Sequence, residues 1–253
     1  PARSSLWNDS MPGLKRIYNI LRYGLGDGAR VRKNAAKEKA REEKFASGLW
    51  QQEQGIAKRH YGSYEEYVTH QAGKLDRIVH RLKETEREDL AEFTRRFGLC
   101  EELAGLNSVL CLGARLGTEV RAMVDLGHFA VGIDLNPGEN NPLVLPGDFH
   151  HLAFADASVD AVYTNVMDHV FDLEKVVSEI VRVLKPGGIF IAELLPGFDE
   201  GFVPGEYESS HWQSVDEFSR RIAETGGFDI ETKRDMGQHR RDHWYQFVFR
   251  KAA

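Results

Sequence analysis

"VLCLGARLGTEVRAMVDLG", Val109 to Gly127, passes from an apolar run through a glycine turn into a helical pattern. The run reads as a buried strand, and the segment from Thr118 reads as a helix that stops at Gly127. A strand that feeds a glycine turn at the start of a helix is where open α/β sheets hold nucleotides. Gly113 permits the sharp turn, and Gly117 admits a ligand to the first turn of the helix. Arg115 stands between them, where such loops usually place a third small residue. A pyrophosphate needs several bare amides at the helix start, so the bulky Arg115 disfavours that ligand. The next apolar run ends at Asp134 in "GIDL", and a carboxylate there accepts two hydrogen bonds from a ribose diol. Another acid, Asp148 in "GDFHHL", follows a third run.

Outward from this stretch, short strands alternate with helices. "HFAVGIDL", "PLVLPGD", "VDAVYTN" and "IFIAEL" predict the second to fifth strands. "DLEKVVSEIVRVLKPGG" predicts a helix, with Leu173, Val176, Val177, Ile180, Val181 and Leu184 on one stripe. Asp172 can cap it, and Pro186-Gly187-Gly188 can end it. "SVDEFSRRIAETGG" predicts a closing helix, and "FDIETKRD" and "WYQFVFRK" a terminal hairpin. The fold class is therefore α/β: a seven-stranded, mostly parallel sheet with an antiparallel C-terminal hairpin and a helical N-terminal extension. Three segments are expected. Residues 1–44 are basic, a loop followed by a solvated helix. Residues 45–106 are a helical extension, with Ser63 and Glu66 as a capping box and Gly98 as a stop. Tyr67, His70, Lys74, Leu75, Ile78 and Leu82 share its stripe. Residues 107–253 form the sheet domain.

The chain has 253 residues, 42% of them hydrophobic, which suits one sizeable α/β domain with an extension. The net charge of −6 is uneven: residues 1–44 carry +6 and the remainder −12. An acidic body without basic residues interleaved among aromatics argues against a nucleic-acid partner. Cys100 and Cys111 lack the spacing of a zinc site, and Cys111 reads as a buried free thiol. No apolar run approaches the ~18 residues of a membrane span. No secretory signal is visible after Pro1, so a soluble, cytoplasmic protein is expected. The helical N-terminal part is the expected surface for any homodimer.

"VLCLGARLGTEV", "VGIDLNPG" and "GDFHHLAFADASVDAVYTNVMDHVFDLEKVVSEIVRVLKPGGIFIAEL", in this order and spacing, resemble the class I S-adenosylmethionine (SAM)-dependent methyltransferases over about residues 107–250. The resemblance implies a Rossmann-like sheet with SAM as cofactor. It implies that Gly113, Ala114 and Gly117 line the methionine part; the charge of Arg115, read from the residue itself, offers a cation to a carboxylate tail. By the same resemblance Asp134 holds the ribose, Leu135 packs on the adenine, and Asp148 takes the adenine amino group. Phe149 offers its backbone amide, and Asn165 begins the segment that passes the methionine tail. Two positions depart from the family pattern: Cys111 replaces an acid, and Arg115 replaces the middle glycine.

The acceptor is expected near "TNVMDHVFD", after the fourth strand. His169 suits a general base near neutral pH, with a packing role as the alternative. Asp168 and His169 are also candidate ligands of a divalent metal such as Mg. His150 and His151 read as structural, one of them bordering the pocket. In the loop "FVPGEYESSHWQS", His211 and Trp212 are candidate acceptor contacts, with Trp212 as a core anchor in the alternative. Tyr67 and Gln71 can lie over the cofactor as a lid. The expected reaction is methyl transfer to a hydroxyl of a small molecule, with a saccharide or glycan favoured by the polar surroundings. A resemblance to bacterial methyltransferases linked to polysaccharides points the same way. Other metabolites with nitrogen or carbon acceptors are the alternative. An NAD(P)-dependent oxidoreductase would need a fuller glycine loop and a Tyr/Lys pair. A non-catalytic partner subunit would not need Asp134 and Asp148 together.

Overall fold

A computed structural model describes residues 28–253. The loop expected at the N-terminus lies outside the described residues. The first described element, α1 (Gly28–Phe45), is the expected charged helix. Next come β1 (Trp50–Glu53), β2 (Ile56–Arg59), α2 (Tyr64–Ala72) and α3 (Lys74–Gly98). The sheet domain follows as β3 (Ser108–Leu112), α4 (Thr118–Asp125), β4 (Phe129–Asp134), β5 (Val144–Pro146) and β6 (Val159–Thr164). It closes with α5 (Leu173–Val183), β7 (Leu184–Leu194), β8 (Ser210–Trp212), α6 (Val215–Gly226), β9 (Phe228–His239) and β10 (Asp242–Lys251).

The seven-stranded sheet has the order β5-β4-β3-β6-β7-β10-β9. Its first five strands pair in parallel, and β10 runs antiparallel to both β7 and β9. From β3 the chain steps outward to β4 and β5, then returns to place β6 on the other side of β3. This reversal is the switch point, and it opens a crevice beyond the carboxyl ends of β3 and β6. The central strands are apolar on both faces because helices cover both. Leu110, Val162 and Phe190 pack with Val176, Val177 and Ile180 of α5 and Phe218 of α6. Cys111, Tyr163 and Ile191 pack with Val120 and Met123 of α4 and Phe97 of α3. Both cysteines are free and buried.

The capped helices form as expected. Asp172 accepts from Lys175 N–H and Ser214 from Glu217 N–H. Ser63 accepts from Glu66 N–H, while the Glu66 carboxylate reaches Gly62 N–H. Three local readings are corrected. First, the helix after Asp172 ends at Val183, and Leu184 already pairs with Val159 as the first residue of β7. Pro186 has no N–H to donate and biases Lys185 toward extended backbone, so the strand starts ahead of the Pro-Gly-Gly. Second, the segment 45–106 is not wholly helical. Gln54 and Gly55 both take positive φ (49° and 77°), a tight hairpin turn joining β1 to β2. β2 then pairs with β8 in a separate three-stranded sheet. Third, the long helix expected from Ser63 to Gly98 is interrupted at Gly73, which ends α2 and precedes α3. This break sets Tyr67, Gln71 and Lys74 against the crevice. No helix among the described residues is long and apolar enough to cross a membrane.

Candidate active site

The crevice beyond β3 and β6 has two connected parts. The inner part is lined by Tyr67, Gln71, Lys74, Gly113, Arg115, Asp134, Leu135, Phe149, Val166 and His169. It opens to a cavity of about 300 Å³ that adds Ala114, Glu119, Asn165, Asp168, Leu195, Asp242 and Trp244 to its wall, with Arg81 and Arg240 among its outer residues. Most of the residues expected to hold the cofactor thus converge on one space.

The glycine turn has the geometry its sequence requires. Gly113 adopts φ +71°, and a Cβ there would lie 2.3 Å from Val166 Cγ2. The loops after β3 and β6 therefore close on each other across the switch point. Gly117 takes φ +84° at the N-cap of α4. Arg115 also has positive φ, 41°, which a non-glycine residue adopts only when its surroundings hold it. The Asp134 carboxylate is one such support: it accepts from Arg115 N–H at 3.0 Å and from Asn136 N–H at 2.8 Å. Burial raises the Asp134 pKa, and the two amides and the Arg115 charge oppose that rise. Each carboxylate oxygen keeps a lone pair for a further donor.

Asp148 is engaged differently. It accepts from Tyr64 O–H, from His150 N–H at 2.8 Å and from His150 Nδ1–H at 2.9 Å. Burial works against its charge, but these donors more than offset it and hold the carboxyl at about 2. A nucleobase amino group would have to share an oxygen already in use. Phe149, beside it, lines the inner crevice. His150 is structural: its Nε2 accepts from the backbone N–H groups of Phe171 and Asp172, tying the loop after β5 to the start of α5. His151 is exposed.

His169 lies on the crevice wall with both ring nitrogens in use. Tyr207 O, 2.9 Å from Nδ1, can only accept, so Nδ1 carries the hydrogen. Nε2 is then an acceptor, and Lys74 Nζ donates to it at 2.6 Å. Burial, and then the nearby Lys74 and Arg115 charges, push the His169 pKa well down, so the ring is neutral. Lys74 itself is shifted below the usual lysine range by burial, with Arg115 adding to the effect. Its place on the first turn of α3 also disfavours a cation. The expected metal pair is corrected here. His169 has no free nitrogen, and the lysine occupies the position a cation would take. Among the described residues no group of three His, Cys, Asp or Glu is arranged to hold a metal.

His211 and Trp212 are corrected as acceptor contacts. Both lie in β8, where His211 pairs with Ala57 and Trp212 with Ile56. Trp212 is 2% exposed, stacks on Phe218 at 4.1 Å and donates its indole N–H to Leu195 O. His211 Nε2 faces Pro196 O at 3.0 Å, and neither residue lines the crevice. Trp212→Ala is therefore expected to cost about 3–5 kcal/mol of stability through the void it leaves. Thermal melting would show this, and an unshifted melt would contradict it.

The sequence reading missed Lys74 and Glu119 as site residues. Lys74 was placed among the apolar stripe of one long helix; a lysine on such a stripe is itself the available signal. Glu119 falls in the first turn after the glycine loop and is buried in the cavity wall.

Comparison with known proteins agrees with this geometry. Residues 110–192 match the family model described as a methyltransferase domain. A sterol 24-C-methyltransferase of Yarrowia lipolytica is 37% identical over 108 residues, 36% of this chain and 27% of that protein. One from Schizosaccharomyces pombe is 38% identical over 73 residues, 28% of this chain and 18% of that protein. The chain thus spans about a quarter of these curated relatives' length. Among solved structures, the Burkholderia thailandensis 1,6-didemethyltoxoflavin-N1-methyltransferase superposes with a TM-score of 0.64 at 15% identity, over 81% of this chain and 100% of that one. A SAM-dependent methyltransferase from Clostridium acetobutylicum gives 0.54 at 14%, over 70% and 99%. The matched segment, residues 110–192, is a methyltransferase domain. The fold around it is one that SAM-dependent methyltransferases share.

Proposed function

We propose that this protein transfers a methyl group from SAM to a hydroxyl of a small polar molecule. SAM, when bound, supplies a methyl on a sulfonium that leaves by in-line displacement. The chain's own residues have three tasks. Asp134 and the Gly113–Gly117 loop hold the nucleoside and the methionine tail. Tyr67 and Gln71 cover the inner crevice and are themselves fixed, by the Tyr67 O–H bond to His169 O at 3.0 Å and the Gln71 bond to Tyr207 O at 2.7 Å. Lys74 receives the acceptor's proton.

The observation that carries the reading is Lys74, half-buried where the two parts of the crevice meet and held on neutral His169. A neutral amine still donates one N–H to His169 Nε2 and keeps its lone pair for a substrate hydroxyl. His169 then positions the base and is not the base itself. Many charged residues stand in the cavity wall, Lys74, Arg115, Glu119, Asp168 and Asp242 among them. Seating a sterol there would strip these groups of water without replacing their partners, which is unfavourable. The likeness to sterol methyltransferases is thus taken as a likeness of the SAM-binding segment. With Trp212 committed to the core, a saccharide acceptor rests only on the polar lining, and it is one member of the proposed class.

Titration calorimetry with SAM, S-adenosylhomocysteine (SAH) and NADH tests the cofactor. Binding of the first two and not the third is expected; binding of NADH alone would refute the reading. Release of SAH on addition of small polyols and saccharides, and none with amines or sterols, tests the acceptor class.

A further inference from the structure

Two buried carboxyl groups in the cavity wall have no hydrogen-bond or ion-pair partner in another residue among the described residues. Glu119, on the first turn of α4, is 7% exposed, and Asp168, after β6, is 6% exposed. Both line the same cavity, on either side of the glycine turn. The Arg115 side chain, between them, also makes no ion pair among the described residues. Burial raises both acids: Glu119 to about 8, and Asp168 clearly above the usual carboxylate range. The groups that face Glu119 are Arg115, Asp134, Glu193, the Tyr163 hydroxyl and the Cys111 thiol. Those that face Asp168 are Glu208, Lys74 and Arg115, with neutral His169 next in sequence. The charged form of such a buried carboxyl is unfavourable until a ligand brings the opposite charge beside it.

SAM brings two cationic centres, a sulfonium and an α-ammonium, and one carboxylate. Beside the glycine turn the cavity offers two buried acids, Glu119 and Asp168, and the Arg115 guanidinium. Glu119 lies on the first turn of α4, beyond Gly117. Asp168 lies beside Lys74 and His169. We propose that Asp168 is the counter-charge of the reactive sulfonium and Glu119 that of the ammonium, so that the cleft distinguishes SAM from SAH by charge at Asp168. This rests on the cofactor reading above. It has a consequence for turnover: the reaction removes the sulfonium charge, Asp168 loses its partner, and the product is held less firmly.

The test is equilibrium binding of SAM and SAH to the full chain and to two variants. Asp168→Asn is expected to weaken SAM about tenfold while leaving SAH nearly unchanged. Glu119→Gln is expected to weaken both in parallel, because both carry the ammonium. An Asp168→Asn protein that binds SAM and SAH in the wild-type ratio would overturn the proposal. If Asp168→Asn does not fold, seen as loss of SAH binding as well, wild-type protein decides the matter. Two SAM isosteres that carry an amine or a hydroxyl at the sulfonium position should then differ at least tenfold in affinity, the amine being tighter. Equal affinities would overturn the proposal. Failure of wild-type protein to bind either SAM or SAH would instead sink the cofactor reading itself.

Discussion

Asp134→Ala is expected to weaken SAM binding about a hundredfold, the largest effect of any single substitution on affinity. Two ribose hydroxyls donating to one carboxylate account for it, since a hydrogen bond to a charged group contributes about 1.5–3 kcal/mol, or roughly tenfold or more in affinity. The substitution also removes the acceptor for Arg115 N–H at 3.0 Å and for Asn136 N–H at 2.8 Å. Arg115 would then hold its positive φ with less support. Asp134→Asn separates these effects. It keeps the shape and one acceptor oxygen but turns an N–H₂ toward one of the backbone donors, so an intermediate loss is expected. Calorimetry on folded protein measures both variants. An Asp134→Ala protein that melts like wild type and binds SAM as tightly would remove the ribose from this position.

Lys74→Met is expected to lower kcat by about 10²–10⁴-fold, the range supplied by a positioned proton acceptor, with SAM affinity little changed. The pH dependence sharpens the expectation. Burial and the Arg115 charge disfavour the Lys74 cation, so its pKa in the folded protein lies below the ordinary 10.5. The active form is the neutral amine, so the rate should rise with pH through that lowered value. Lys74→Arg stays protonated throughout and should lose the rising limb together with the activity. Stability should follow the same group. Between the lowered pKa and 10.5 the unfolded chain binds this proton and the folded chain does not, so stability rises with pH across that window. Lys74→Met should flatten that rise. A rate profile identical in wild type and Lys74→Arg would return the role of base to another residue.

How far the sequence carried depends on the range of the interactions involved. The strands from β3 to β7 and helices α4 to α6 were legible because each depends on local pattern: an apolar run, a cap such as Asp172 or Ser214, a glycine at Gly117 or Gly227. The hairpin at Gln54-Gly55 was not read, because β1 is short and largely exposed and β2 gains its stability from β8, about 150 residues away. The break at Gly73 was missed because one helical stripe, from Tyr67 through His70 and Lys74 to Leu82, runs across it.

The sequence by itself determined the α/β order, the glycine turn and the acid at Asp134. Turn conformation, capping and strand burial are set within a few residues, and the order of βα units leaves few ways to close a parallel sheet. Tertiary structure alone decided the chemistry of the site. It took His211 and Trp212 out of the crevice and into a small sheet. It brought Lys74, 95 residues distant in the chain, onto His169 Nε2. It left Glu119 and Asp168 buried with no partner in another described residue. Whether a side chain is neutral, paired or exposed to a ligand depends on the dielectric and the charges that folding assembles around it, and no spacing along the chain encodes these.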